Sequence, residues 1–225
     1  MVRVRGLSKT FLNGKLVLNG IDLDVRPGDA LAIWGANGAG KTTFLRILAT
    51  LAKPTRGEVS VGGFSVQTHA RSVRGVVGWV PAGDGGLFPR LNGFDNLLFA
   101  ASACQVGRKC LEEQLGAWRE IASFRDALTT PAYLCSSGMK QQLATARALI
   151  SNPDVLLLDE PNRSLDPESR ILAQEIIRFK TRNKVLIFTT HSKEEAEGLA
   201  NRNVTLKGGR IDEIVHHDFV SRISQ

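Results

Sequence analysis

The sequence predicts an α/β protein with a mainly parallel sheet and an all-helical insert. Three observations point there. Residues 155–158 and 185–190 are unbroken apolar or β-branched runs, the pattern of strands buried on both faces. A helical pattern over residues 167–179 lies between them. From about residue 93 to 150 the pattern is helical almost throughout, without β-branched runs. Strand–helix–strand alternation builds parallel pairs through crossovers, and a purely helical stretch between strands reads as a lobe.

The elements follow in order. Residues 2–4, 21–25 and 30–34 read as strands, separated by the turn signals Asn13-Gly14, Asn19-Gly20 and Pro27-Gly28-Asp29. After Gly40 the pattern turns helical, with Phe44, Ile47, Leu48 and Leu51 on one face until Pro54 stops it. Strands follow at 58–61 and 76–80. Within the helical stretch, Met139, Leu143, Ala146 and Ile150 mark one face of its last helix.

Composition sets bounds. A chain of 225 residues with 43% hydrophobic and 23% charged residues is an ordinary globular chain, long enough for a core without disulfides or metals. The longest apolar stretches, such as residues 97–104, fall far below the ~20 residues of a membrane-spanning helix. Met1-Val2-Arg3-Val4-Arg5 reads as a strand start rather than a signal peptide. The net charge of +7 suits a polyanionic partner, yet no block of like charges appears. The densest basic run, residues 178–184, sits at a helix C-terminus, where the dipole favours cations, and reads as a solvated face. Cys104, Cys110 and Cys135 support neither a disulfide framework nor a zinc site, so a reducing, cytosolic setting is expected.

The strongest chemical signal is Gly35-Ala36-Asn37-Gly38-Ala39-Gly40-Lys41-Thr42, which fits G-x-x-x-x-G-K-[ST] between a strand and a helix. The glycines let successive backbone N–H groups turn inward on a phosphate, and the helix adds its positive end. Lys41 is placed for the β- and γ-phosphates and Thr42, followed by Thr43, for Mg²⁺ and phosphate. Val155-Leu156-Leu157-Leu158-Asp159-Glu160 then delivers two acids to the carboxyl edge of the sheet, where open α/β folds bind ligands. Asp159 is assigned to Mg²⁺ through a water. Glu160 is assigned to orient and deprotonate an attacking water.

Cys135-Ser136-Ser137-Gly138-Met139-Lys140-Gln141-Gln142, about twenty residues before Asp159, resembles the LSGGQ signature of ABC-type ATPases. Ser136 can cap the helix, whose N–H groups form a second anion site. Ser164-Leu165-Asp166 looks like the family's D-loop, His191 like its switch histidine, and Phe11 like its adenine-stacking aromatic. The resemblance spans residues 2 to about 214. It implies a P-loop NTPase fold with an N-terminal antiparallel β-subdomain, in one domain: core about 1–82 and 151–214, helical lobe about 83–150, short tail 215–225. It also implies ATP and Mg²⁺ as ligands. Ser136, Ser137, Gly138 and Asp166 would close on the nucleotide of a second ATPase subunit, most simply an identical copy. The function implied is ATP hydrolysis that energises an exporter, peripheral at the cytoplasmic membrane face and docked near residues 84–94 on an integral permease. A soluble ABC ATPase working on nucleic acid or ribosomes is the alternative, but the chain has neither a coiled-coil insert nor a basic stripe with aromatics, and no nucleic acid is expected. A weakly active regulatory subunit is the third reading, set against the intact Lys41, Asp159, Glu160 and His191.

The departures are local. Where the family places a glutamine after the strand 76–80, this chain has Pro81-Ala82-Gly83-Asp84-Gly85; Asp84 could take over the metal or water contact. The signature carries Cys135, Ser137 and Met139 for the usual Leu, Gly and Gln, while Asn162-Arg163-Ser164 resembles a subgroup of ABC-2-type exporter subunits. If the acid replaces the glutamine, Asp84→Ala lowers ATPase activity more than Ala82→Gln does. Parent-like activity in both variants, measured by phosphate release, would remove Asp84 from the site.

Overall fold

The computed structural model describes residues 1–83, 85–161, 165–191 and 193–216. Asp84, Asn162, Arg163 and Ser164 lie outside the described residues, as does the tail beyond His216. Two sheets organise the chain. In the first, β1 (Val2–Thr10), β2 (Leu16–Val25), β4 (Arg56–Val61) and β5 (Phe64–Ser65) pair antiparallel in the order β2-β1-β4-β5. The second contains β3 (Ala30–Trp34), β6 (Val77–Val80), β7 (Val155–Asp159), β8 (Val185–Thr189), β9 (Arg202–Lys207) and β10 (Arg210–His216). Its order is β10-β9-β3-β8-β7-β6, parallel except for the β9–β10 hairpin. The expected fold class, with its antiparallel subdomain, is what forms.

β7 and β8 are buried at every residue because both faces of the sheet are covered. Alternation sends their side chains to different cores. Leu156, Leu158, Leu186 and Phe188 pack with the helices of the inserted stretch, whereas Val155, Leu157, Val185 and Ile187 pack toward the antiparallel sheet. Between the sheets lies α1 (Lys41–Leu48), contributing Phe44, Leu45, Ile47 and Leu48 to the second core. That helix ends earlier than its apolar spacing suggests. Thr50 adopts φ 62°, the N–H groups of Leu51 and Ala52 turn back to the Arg46 carbonyl, and Leu51 is left exposed. The stop is this left-handed turn, not Pro54.

α2 (Ala70–Val76) has no counterpart in the sequence pattern, which begins a strand at Val76. Only Val73 of this helix is buried, too few apolar positions to create a period. Strands β1 and β2 run longer than expected, and β10 extends two residues into the expected tail. The basic run near residue 180 is largely solvated, with Arg178, Phe179, Arg182 and Asn183 exposed. Within it Arg178 donates to the Gly198 carbonyl, and Lys184 to the carbonyl of Asn152 at 3.1 Å.

The inserted stretch forms α3 (Gly93–Ala103), α4 (Arg108–Gln114), a 3₁₀ turn (Ala117–Glu120), α5 (Ala122–Thr129) and α6 (Ser137–Leu149). α6 touches α3, α5, β6 and β7, so it is buried nearly all round rather than along one stripe. Asn96 on α3, 2% exposed, ties the preceding loop down. Its amide oxygen accepts from Phe88 N at 2.7 Å, and its nitrogen donates to the carbonyls of Phe88, Leu91 and Asn92. The remaining helices are α7 (Pro167–Thr181), capped by Asp166, and α8 (Lys193–Leu199).

Trp118, 2% exposed and packed at 5.5 Å from Phe124, anchors the helical stretch. Trp118→Ala should cost about 3–5 kcal/mol, seen as a lower urea midpoint. A parent-like midpoint would show that this packing is not a main support.

Candidate nucleotide-binding site

The cradle forms where β3 ends and α1 begins. Gly40, at φ 107°, is the N-cap of α1 and offers no side-chain cap, so the first N–H groups of the helix face the loop's concavity. Gly35 opens the loop at φ 152°. A Cβ built there would lie 2.4 Å from the backbone oxygen of Leu206 in β9, so the loop can approach the sheet edge only with glycine. A cleft of about 310 Å³ opens over the loop. It is lined by residues 36–43 together with Phe11, Lys15, Val17 and Glu160.

Lys41 is 5% exposed, and its ammonium donates to the carbonyls of Gly35 at 2.7 Å and Ala36 at 3.2 Å. Burial pulls its pKa below the usual lysine value, with the carboxylates of Glu160 and Asp159 opposing the shift. The carboxylate of Asp159, 2% exposed, is held at both oxygens. Oδ2 accepts from Thr42 Oγ1 at 2.8 Å, and Oδ1 accepts from Thr189 Oγ1 at 2.7 Å. Glu160 follows at φ 52°, a left-handed conformation rare for this residue type. His191 Nε2 lies 2.9 Å from Glu160 Oε1 and 3.2 Å from Lys41 Nζ. An ionised Glu160 can only accept, so the tautomer carrying its proton on Nε2 donates to the glutamate.

Lys41, Thr42, Asp159, Glu160 and His191 thus come together from three segments far apart in the chain. Phe11 sits at the cleft, 44% exposed, with the Lys9 ammonium 5.2 Å from its ring centroid. Ser136, Ser137, Gly138 and Asp166 do not line this cleft. Ser136 is the N-cap of α6, accepting from Met139 N at 3.2 Å. Asp166 caps α7, and the hydrogen bonds from Ser169 hold its carboxyl below the usual aspartate range. Asp84, assigned to the metal, and Ser164 of the D-loop lie outside the described residues.

Two residues of the neighbourhood carry no motif. Thr189, fully buried, reads in the sequence only as a β-branched strand residue. Arg147 of α6 bonds the carbonyl of Gly86 at 2.6 Å and that of Gly85, and burial lowers its pKa. An arginine within the otherwise apolar run Ala146-Arg147-Ala148-Leu149 is the one signal the sequence offers for it.

A glycine-rich loop between a central strand and a helix, with its lysine, its threonine and a strand-end aspartate, defines a P-loop nucleoside-triphosphate-binding protein. The family model described as ABC transporter matches residues 18–163, and the chain belongs to that family, as one of its ATP-binding, ATP-hydrolysing subunits. It is 36% identical over 219 residues to Nod factor export ATP-binding protein I of Rhizobium etli, covering 96% of this chain and 69% of that protein. The protein of the same name from Burkholderia orbicola is 39% identical over 197 residues, covering 87% of this chain and 64% of its own length. The chain therefore spans about two thirds of these relatives.

Among solved structures, an ATP-binding subunit of an ABC transporter superposes with a TM-score of 0.87 at 26% identity, over 96% of this chain and 90% of that one. A dimeric ATP-binding cassette in a post-hydrolysis state, bound to ADP and Pi, gives 0.80 at 26% identity, over 97% and 99%.

Gly35→Ala forces the loop off the β9 backbone. Nucleotide affinity, followed with a fluorescent ATP analogue, should fall at least about tenfold while the circular dichroism spectrum persists. Parent-like affinity would show that the loop absorbs the added carbon.

Proposed function

We propose that this chain energises export through a separate membrane permease, two copies enclosing two ATP molecules and driving the permease by closure and hydrolysis. The observation that carries the proposal is the convergence of Lys41, Thr42, Asp159, Glu160 and His191 at one end of the cleft. The names of the relatives support the direction of transport. Thr42 Oγ1 and Asp159 Oδ2 are hard oxygens 2.8 Å apart. Among the described residues no group of three or more acids, histidines or cysteines forms a cage. That sparse donor set fits Mg²⁺, which prefers a few protein oxygens supplemented by waters and substrate phosphates. When bound there, Mg²⁺ neutralises charge on the phosphates.

The chain's own groups supply the rest. The loop N–H groups and the Lys41 ammonium bind the phosphates, which compete with the Gly35 and Ala36 carbonyls for that ammonium. Glu160 takes the proton of the water that attacks the terminal phosphoryl group. His191 holds the Glu160 carboxylate in place through Nε2. The capped N-terminus of α6, outside this cleft, serves the nucleotide of the second copy.

A permease contact is supported by the surface that follows β6. Phe88 and Phe99 meet edge to face at 4.9 Å, and both are about half exposed, with Tyr133 exposed as well. No helix among the described residues is long and apolar enough to cross a membrane. In this reading the permease contact places the chain at the cytoplasmic membrane face.

Glu160→Gln keeps the shape of the acid and removes its basicity. ATP binding should persist while turnover falls by about 10²–10⁴-fold, with an ATP-dependent dimer accumulating on size exclusion. Unchanged turnover would sink the general-base assignment.

A further inference from the structure

Asp159 and Thr189 are register partners at the ends of two parallel strands, β7 and β8. Their side chains meet where the strands run out. The Thr189 hydroxyl, fully buried, donates to Asp159 Oδ1 at 2.7 Å. Its Oγ1 also accepts from the backbone N–H of Glu160 at 2.9 Å. Glu160 stands at φ 52°, which takes its peptide out of the strand conformation and leaves its N–H in need of a new acceptor.

We infer that Thr189 is the positioning residue of this centre, one hydroxyl that aims the Asp159 carboxylate at Thr42 and holds the Glu160 backbone in its left-handed turn. The inference rests on reading the site as an ATP-hydrolysing centre. A hydroxyl suits the task because it donates and accepts at once. With Oδ1 engaged by Thr189, Oδ2 is left facing the Thr42 hydroxyl 2.8 Å away, the pair assigned to Mg²⁺. With the Glu160 N–H engaged, the glutamate side chain starts from a defined backbone and reaches His191 at 2.9 Å. His191 is itself only two residues beyond Thr189. One buried hydroxyl therefore ties together the strands that carry the metal-side acid, the base and the histidine. Groups that orient a metal-binding carboxylate have large effects although they never touch the metal.

The test compares full-length parent, Thr189→Val and Thr189→Ser. Valine matches threonine in shape and lacks the hydroxyl; serine keeps the hydroxyl and lacks the methyl. Binding of a fluorescent ATP analogue is titrated with Mg²⁺ and, separately, in EDTA, and turnover is measured alongside. In Thr189→Val the Mg²⁺ concentration for half-maximal effect should rise by about 10- to 100-fold, and turnover should fall by a similar factor. Affinity in EDTA should stay within about twofold, because the loop and Lys41 are untouched. Thr189→Ser should stay close to the parent in all three. If the valine variant does not fold, Thr189→Cys, close in size with only a weak S–H donor, should show the same Mg²⁺ defect. A valine or cysteine variant with the parent's Mg²⁺ requirement overturns the inference, as does a serine variant as impaired as valine. A parent that binds no nucleotide overturns the proposed function itself, and the role of Thr189 with it.

Discussion

A carboxylate that is 2% exposed at the end of an apolar strand is tolerable only if its charge is met by hydrogen-bond donors. Asp159 meets that demand with two hydroxyls from different parts of the chain: Thr42 from the start of α1 and Thr189 from the end of β8. The carboxylate thereby fixes how the glycine-rich loop, β7 and β8 stand relative to one another. Breaking one bond strands a buried charge, a larger penalty than the net worth of an ordinary hydrogen bond. The loop's shape, the turn at Glu160 and the approach of His191 to Lys41 all depend on that junction.

The same sheet separates two cores of different character. On one side, α1 and the antiparallel sheet close over Val155, Leu157, Val185 and Ile187, and among the described residues the buried charges lie at the cradle itself. On the other, the helices of the inserted stretch meet Leu156, Leu158, Leu186 and Phe188, and polar ties recur there. Ser123 on α5 bonds Gln142 on α6 at 2.9 Å and lies 3.3 Å from Ser169 on α7. Ser169 in turn donates to the capping carboxylate of Asp166. Arg147 reaches from α6 to the loop after β6, and Asn96 pins the segment beyond it. Directional bonds of this kind give α6 and its capped N-terminus a defined placement that apolar packing alone specifies less sharply.

Motifs made of contiguous residues are legible in the sequence alone. The cradle of residues 35–42, the apolar run ending in Asp159 and Glu160, and the Ser136 cap all sit where local spacing puts them, because turn, strand and helix-cap chemistry is short-range. The helix over residues 70–76 is not legible, since a single buried valine leaves no periodic trace. Leu51 misleads for the opposite reason: its spacing continues the helix, but the chain turns left-handed at Thr50.

The amino-acid sequence by itself thus specifies the kind of chemistry, a phosphate cradle with its lysine, hydroxyl and acids, because those residue types and spacings act within a few positions of one another. Which groups touch is decided by tertiary structure. Asp159 faces Thr189 because β7 and β8 pair in one particular register, and a slip of a single residue would turn that hydroxyl to the opposite face of the sheet. Likewise, Lys41 and His191 meet across 150 positions of chain only because β3 and β8 are neighbours in the sheet. Strand order and register are collective outcomes of packing two cores at once, and no short window of sequence contains them.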